Sequence, residues 1–185
     1  MSNIPDDADK VFDGVIFDVY HWQQELYDGS SATFEALKRP DTILVLGVLD
    51  DERIVLLEQE QPRKPKHWSL PAGRVDEGES PIEAAKREML EETGYKFKDW
   101  KLIDASPVHT KIDWTIYFYV AQNPTDKVEQ NLDPGEKISV HEVKYSELVE
   151  KVRNREVIWG EPLIRLILQN KTELSDIVNL PAVVE

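Results

Sequence analysis

The chain has 185 residues, 41% of them hydrophobic and 31% charged, which is typical of a folded globular protein. Its 36 acidic and 22 basic residues give a net charge of −14, which argues against nucleic acid or an anionic membrane as a partner, because such partners bind basic surfaces. The absence of cysteine excludes disulfides and cysteine-ligated zinc. Without a secretory apolar region or a membrane-length apolar run, we expect a cytoplasmic protein.

The first part of the chain predicts strands. Apolar patterns at 15–22 and 32–38 predict a pair of strands on either side of a polar turn. Almost continuous apolar runs at 42–49 and 53–59 predict two core strands that form a hairpin. Residues 68–72 then lead into a glycine loop.

A helix is predicted from Ser80 to Thr93. Ser80 occupies the N-cap position, Pro81 the first helical position, and Glu83 the position from which a carboxylate closes a capping box. Gly94 follows as the residue that ends the helix in a left-handed conformation.

The rest of the chain predicts two strands, two helices and a tail. The strands are expected at 114–121 and 137–145, and the helices at 147–154 and 162–169. The tail, 171–185, carries spaced apolar residues that fit either a docked or a frayed segment. Strands, a helix, more strands and then helices predict an α+β fold.

Three carboxylates share one face of the first predicted helix. Glu88, Glu91 and Glu92 lie at i, i+3 and i+4, so their like charges stand side by side and repel. Mg²⁺ prefers oxygen ligands and often combines a few carboxylates with substrate phosphate oxygens. A bound cation would relieve the repulsion, and Arg87 could hold a neighbouring glutamate at the metal. The alternative is a solvated acidic face, because glutamate is a good helix former.

The same glutamates belong to a longer pattern. Residues 73–95 fit G-x5-E-x7-R-E-U-x-E-E-x-G-U, where U is a bulky apolar residue; Met89 fills the first U position and Tyr95, a mild departure, the second. This segment resembles the Nudix box, the signature of Mg²⁺-dependent hydrolases of nucleoside diphosphates linked to another group. The resemblance implies an α/β/α sandwich, the Nudix fold, and a small-molecule nucleotide substrate.

The resemblance also implies roles for individual residues. It implies Mg²⁺ as the cofactor, with Mn²⁺ as the alternative. The implied metal ligands are the Ala72 carbonyl and the side chains of Glu88, Glu91 and Glu92, and Arg87 and Glu91 are implied in catalysis.

Segments outside the box resemble the ADP-ribose pyrophosphatase branch of this family. S-L-P-A-G at 69–73 is close to the branch's E-L-P-A-G, Q-P-R at 61–63 to its Q-Y-R, and S-P-V at 106–108 to its S-P-G. This likeness implies hydrolysis of ADP-ribose to AMP and ribose 5-phosphate. The implied substrate-binding residues are Arg39, Arg63, Phe34 and Trp22; the two aromatic residues fit ordinary interface packing equally well.

A general base is implied on the loop before the last predicted strand. In the ADP-ribose branch the base is usually a glutamate on such a loop. Glu136, which directly precedes the strand, resembles that position best, and Glu129 is second. An ordinary acidic loop residue is the alternative for both.

We expect three parts in the chain. Residues 1–40 form an N-terminal β appendage, which needs a packing partner and is expected to make a homodimer as in the branch. Residues 41–170 form the Nudix hydrolase domain, and 171–185 the C-terminal tail. Two other functions remain open: a Nudix pyrophosphatase for a UDP- or GDP-sugar, a dinucleoside polyphosphate or a damaged nucleotide, and a ligand-sensing Nudix domain without catalysis.

Overall fold

The computed structural model describes residues 4–158 and 161–183. The ends of the predicted appendage and tail, 1–3 and 184–185, therefore lie outside the described residues, as do 159–160. The strands are β1 (Asp9–Phe12), β2 (Asp18–Glu25), β3 (Ser31–Lys38), β4 (Thr42–Gly47), β5 (Arg53–Glu60), β6 (His67–Ser69), β7 (Ala72–Arg74), β8 (Tyr95–His109), β9 (Ile112–Lys127) and β10 (Lys137–Lys144). The helices are α1 (Pro81–Thr93), α2 (Tyr145–Arg153), α3 (Glu161–Leu168) and α4 (Leu174–Val178).

The strands make two sheets. Among the described residues, seven strands form a mixed sheet in the order β1-β2-β3-β9-β4-β7, with β8 paired to β9. Strand β4 runs parallel to β9 and antiparallel to β7. A second sheet has the order β10-β5-β6. The short strand β7 thus delivers the glycine loop to the edge of the larger sheet, beside α1.

The core lies on both faces of the central strands. Because side chains alternate along a strand, Ile43 and Val45 of β4 pack with the apolar face of α1, whereas Leu44 and Leu46 pack with residues of α2, α3 and α4. All four side chains are buried. Helices therefore cover the sheets from two sides, and the predicted α/β/α sandwich is confirmed.

Local sequence explains both ends of α1. The Ser80 amide donates to the Glu83 carboxylate at 2.9 Å, and Pro81 opens the helix. Gly94 ends it with φ at 75°, and its amide donates to the Leu90 carbonyl at 2.8 Å. A Cβ at Gly94 would lie 2.0 Å from the Val128 carbonyl oxygen, so this position requires glycine for close approach as well as for its backbone conformation.

The N-terminal appendage differs from the prediction. It contains three strands rather than two, and the strand expected at 15–22 runs from Asp18 to Glu25. Strand β1 was missed because all four of its residues are exposed and carry no apolar alternation. Leu37 of β3 pairs with Ile112 of β9, so the appendage continues the main sheet.

Two other predictions about strands were wrong. Residues 42–49 and 53–59 do not form a regular hairpin, because β4 and β5 separate into different sheets after a bridge between Val48 and Ile54. Strand β8 was not predicted, and Pro107 lies in it opposite Thr115. A register shift follows at Pro107–His109, which suits proline's lack of an N–H.

The C-terminal tail is docked over its described residues. Ile177 of α4 is fully buried, and the Val183 amide donates to the Leu102 carbonyl of β8 at 2.9 Å. Of the two readings that the sequence left open, docking is therefore the one observed. None of the helices in the described ranges is long and apolar enough to cross a membrane.

Candidate active site

Arg87 lies at the centre of the acidic face of α1. Its guanidinium donates to Glu79 at 3.0 and 2.9 Å, to Glu88 at 2.7 Å and to Glu91 at 3.2 Å. It also donates to the Arg74 carbonyl of β7 at 3.0 Å. Since one planar cation reaches three carboxylates and a backbone oxygen, it fixes the glycine loop against the helix.

Glu92 is the most buried of the three clustered glutamates, with 3% of its surface exposed. Its carboxylate accepts the Ala72 amide at 2.9 Å and lies 3.5 Å from the Gln59 amide nitrogen. Gln59 in turn donates to Ser69 at 2.7 Å. Gln59 was missed from the sequence; its only signal is a polar residue in the apolar run of β5.

Gly73 allows close contact between the glycine loop and the helix. A Cβ at this position would lie 1.9 Å from the carboxyl carbon of Glu88 and 1.9 Å from its Oε1. The first glycine of the pattern is therefore needed for space, since any side chain would displace the end of Glu88.

Burial and mutual repulsion perturb the acidic groups. Burial raises the pKa of Glu88 to about 7, and the charges of Glu91 and Glu136 raise it further. The hydrogen bond from Arg87 acts in the opposite direction and lowers this pKa. Burial also raises the pKa of Glu92, with further contributions from the charges of Glu88, Glu136 and Glu91. A cluster of this kind is typical of functional sites, where opposing cations stabilise the ionised form.

The donor set fits hard divalent cations. Carboxylate oxygens are the ligands that such ions prefer, and the carboxylates repel one another without them. Within residues 4–158 and 161–183, no three His, Asp or Glu side chains surround one point at ligand distance. The reason is that Glu88 and Glu91 turn towards Arg87 while Glu92 faces the Ala72 amide. Glu91 is the most exposed of the three, with 38% of its side chain accessible, and is the freest to turn.

Glu136 interacts electrostatically with this cluster, since its charge raises the pKa of Glu88 and Glu92. Burial raises the pKa of Glu136, and the charges of Asp133 and Glu91 contribute. Glu136 also lines a pocket of about 300 Å³ with Arg63, whose φ of 64° places it in the left-handed region. Glu129, the second candidate, lines a different pocket with Lys127.

Arg39 is held beside the glycine loop. Its guanidinium carbon lies 4.3 Å from the centre of the Trp114 ring and 5.7 Å from that of Phe17. It reaches the Thr42 hydroxyl at 3.4 Å, and Thr42 pairs across the sheet with Arg74. Burial lowers the pKa of Arg39, and the nearby charge of Arg74 lowers it further. Because the guanidinium groups of Arg39 and Arg74 repel each other, the place where they lie favours an anionic ligand.

The aromatic candidates lie apart from the carboxylates. Trp22 and Phe34 face each other across β2 and β3 with ring centres 6.0 Å apart. Phe34 lines a pocket with His109 and Lys111, whose ammonium lies 4.6 Å from the ring centre. Among the described residues, no glutamate of α1 lines that pocket.

Comparison with known proteins gives concordant results. A model of the NUDIX domain matches residues 38–166. An ADP-ribose pyrophosphatase from Bacillus subtilis (strain 168) is 31% identical over 154 residues, which cover 80% of this chain and 82% of that protein. A methanol dehydrogenase activator from Bacillus methanolicus is 27% identical over 161 residues, 85% of this chain and 86% of that protein.

A solved structure also resembles this fold. The crystal structure of an ADP compounds hydrolase superposes with a TM-score of 0.63 over 89% of this chain and 93% of that one, at 21% identity. The sandwich and its glutamate-bearing helix are those of a pyrophosphohydrolase. With the domain match and the Bacillus subtilis relative, they show that the chain belongs to the Nudix family, as a hydrolase of the ADP-ribose pyrophosphatase type. Hydrolases of this family generally use a divalent metal.

The contact at Gly73 leads to a testable prediction. In Gly73→Ala the new methyl group meets the flexible end of Glu88 rather than backbone, so we expect the urea midpoint of unfolding to change little. Hydrolase activity should fall at least about tenfold, because Glu88 has to leave its position. Gln169→Ala, a substitution at an exposed residue after α3 and outside the site, is the control. Equal activity of the two variants would contradict the assigned contact.

Proposed function

We propose that the protein catalyses the Mg²⁺-dependent hydrolysis of ADP-ribose to AMP and ribose 5-phosphate. The proposal rests on the acidic face of α1, where Arg87 gathers the carboxylates of Glu79, Glu88 and Glu91. The proposal is also supported by the similarity to the Bacillus subtilis protein over most of both chains. Any nucleoside diphosphate derivative with the same central linkage would meet the same carboxylates.

The cations would be held by Glu88, Glu91, Glu92 and the Ala72 carbonyl, with Mn²⁺ as an alternative to Mg²⁺. When bound, such ions supply an activated water and neutralise charge on the diphosphate. Arg87 holds Glu88 and Glu91 together through its hydrogen bonds, and Glu92 ties the Ala72 peptide to the helix. Turning of Glu91 away from Arg87 would bring its carboxylate to the cations.

Glu136 is our candidate for the general base. A base has to accept a proton from the attacking water near the operating pH, and burial beside other carboxylates raises the pKa of Glu136 in that direction. The charge of Glu136 also raises the pKa of Glu88 and of Glu92, which supports a position within electrostatic range of the cluster. Glu129, which faces another pocket, is the less favoured candidate.

Substrate binding is assigned to two arginines and two aromatic side chains. Arg63 shares the pocket of Glu136, and Arg39 is stacked on Trp114 beside the glycine loop. A guanidinium group can bind a phosphate through two hydrogen bonds. On a protein of net charge −14, these arginines also make the local electrostatic potential positive. Phe34 and Trp22 would stack on the base of a nucleotide. Lys111, whose ammonium lies over the Phe34 ring, would contact the same nucleotide.

The three-part division of the chain, 1–40, 41–170 and 171–185, is likewise a proposal. The appendage exposes several large apolar side chains, as a subunit interface would require: Val11, Phe12, Val15, Ile16, Phe17 and Tyr27. We propose that they pack against a second copy of the chain in a homodimer. In the dimer, Trp22 and Phe34 could serve the partner's site, which would explain their distance from the carboxylates of their own chain.

The substrate is tested with a panel at excess Mg²⁺, with products separated by chromatography. The panel contains ADP-ribose, UDP- and GDP-sugars, diadenosine polyphosphates, NADH and 8-oxo-dGTP. We expect ADP-ribose to give the highest kcat/KM, with AMP and ribose 5-phosphate as products. Preference for another member would retain the carboxylate site and refute the substrate assignment. Absence of turnover with all members would favour a ligand-sensing protein.

The base is tested by substitution. Glu136→Gln removes the proton acceptor at nearly constant volume, so we expect kcat to fall about 10²- to 10⁴-fold. Glu129→Gln, the matched control on the same loop, should keep kcat within about twofold. The reverse pattern would assign the base to Glu129.

A further inference from the structure

The loop that precedes β10, residues 128–136, is docked on the last turn of α1. The Val128 amide donates to the Gly94 carbonyl at 2.9 Å, and the Asn131 amide donates to the Glu91 carbonyl at 2.9 Å. The last carbonyls of a helix find no amide donor within the helix, so they need donors from elsewhere. Here the loop that carries Glu136 supplies those donors to the helix that carries the glutamate cluster.

Gln130 makes the side-chain contact of this junction. Its amide nitrogen donates to the Glu92 carbonyl at 2.5 Å and to the Ile138 carbonyl at 3.3 Å. Ile138 is buried in β10 and pairs with Gln59 of β5. One side chain therefore joins the end of α1, the start of β10 and the loop between them.

Both backbone oxygens bound by Gln130 lie close in sequence to proposed active-site groups. Glu92 is itself a proposed metal ligand, and Ile138 follows Glu136 by two residues. Gly94 completes the junction, because its bare Cα lets the Val128 carbonyl approach. The covalent path from α1 to Glu136 runs through the whole β8–β9 hairpin, so the separation between Glu136 and the carboxylates of α1 depends on these contacts together with the pairing of Lys137 and Glu60 between β10 and β5.

We propose that Gln130 is a positioning residue for the hydrolysis. Its two hydrogen bonds hold the loop against α1 so that Glu136 faces the carboxylate cluster. This role rests on the proposed function, in which Glu136 is the base. Gln130 acts through Glu136 and touches neither substrate nor cation.

The test is a double-mutant cycle of Gln130→Leu and Glu136→Gln in the full chain, assayed with ADP-ribose and Mg²⁺. Leucine removes both hydrogen bonds at similar size. With Glu136 present, Gln130→Leu should lower kcat about tenfold or more and change KM by less than about twofold. With Glu136→Gln already in place, the same change should lower kcat by less than about twofold, because there is no base left to misplace.

Two controls separate positioning from loss of structure. Gln169→Leu introduces the same substitution at an exposed residue after α3 and should leave kcat unchanged. The unfolding transition of each variant, followed by tryptophan fluorescence, should stay well above the assay temperature. Retained stability with a lowered kcat is the expected result.

The other outcomes overturn the proposal in distinguishable ways. Full activity of Gln130→Leu, or an equal loss of kcat in both backgrounds, would show that Gln130 does not act through Glu136 while leaving the proposed function intact. Full activity of Glu136→Gln would refute the base assignment and the positioning role together. Turnover of another panel member in place of ADP-ribose would refute the substrate alone, and the cycle would then be measured with that member.

Discussion

Electrostatic repulsion among Glu88, Glu91 and Glu92 is the constraint on which the rest of this structure depends. Like-charged pairs at this spacing destabilise an isolated helix by about 0.2–0.5 kcal/mol each, and burial of Glu88 and Glu92, which raises the pKa of both carboxyl groups, adds to the cost of ionising the cluster. The protein tolerates the cluster because Arg87 and the Ala72 amide oppose it, and because the two-sided core fixes α1 independently.

The fold brings further groups to the cluster from distant parts of the chain. Strand β7 supplies the glycine loop, β5 supplies Gln59, and the loop before β10 supplies Glu136. Strand β5 is buried in the second sheet, whereas β7 is held by its pairing with β4, and the loop before β10 by its hydrogen bonds to the end of α1.

Sequence was sufficient for the features that depend on local spacing. Helix geometry alone brings Glu88, Glu91 and Glu92 to one face, and the capping residues fix where α1 begins and ends. The nearly continuous burial of β4 and β5 follows from their apolar runs. Family resemblance then supplied Glu136, whose proximity to the cluster no spacing rule could have given.

Sequence was insufficient where contacts are distant or the periodicity is interrupted. Strand β8 has register shifts at Lys96–Phe97, Leu102–Asp104 and Pro107–His109, and each shift breaks the alternation by which a strand is recognised. Gln59 and Gln130 contact the cluster from other elements, so their spacing from the glutamates carries no signal. Strand β1 is exposed along its length and has no apolar face to detect.

Anomalous diffraction from crystals of the full chain grown with Mn²⁺ would show whether the acidic face of α1 is a divalent cation site. We expect anomalous peaks within about 2–2.5 Å of carboxylate oxygens of Glu88, Glu91 and Glu92, with Arg87 still bound to Glu79. Ordered Mn²⁺ only at other carboxylates, with Glu88 and Glu91 still paired to Arg87, would contradict it.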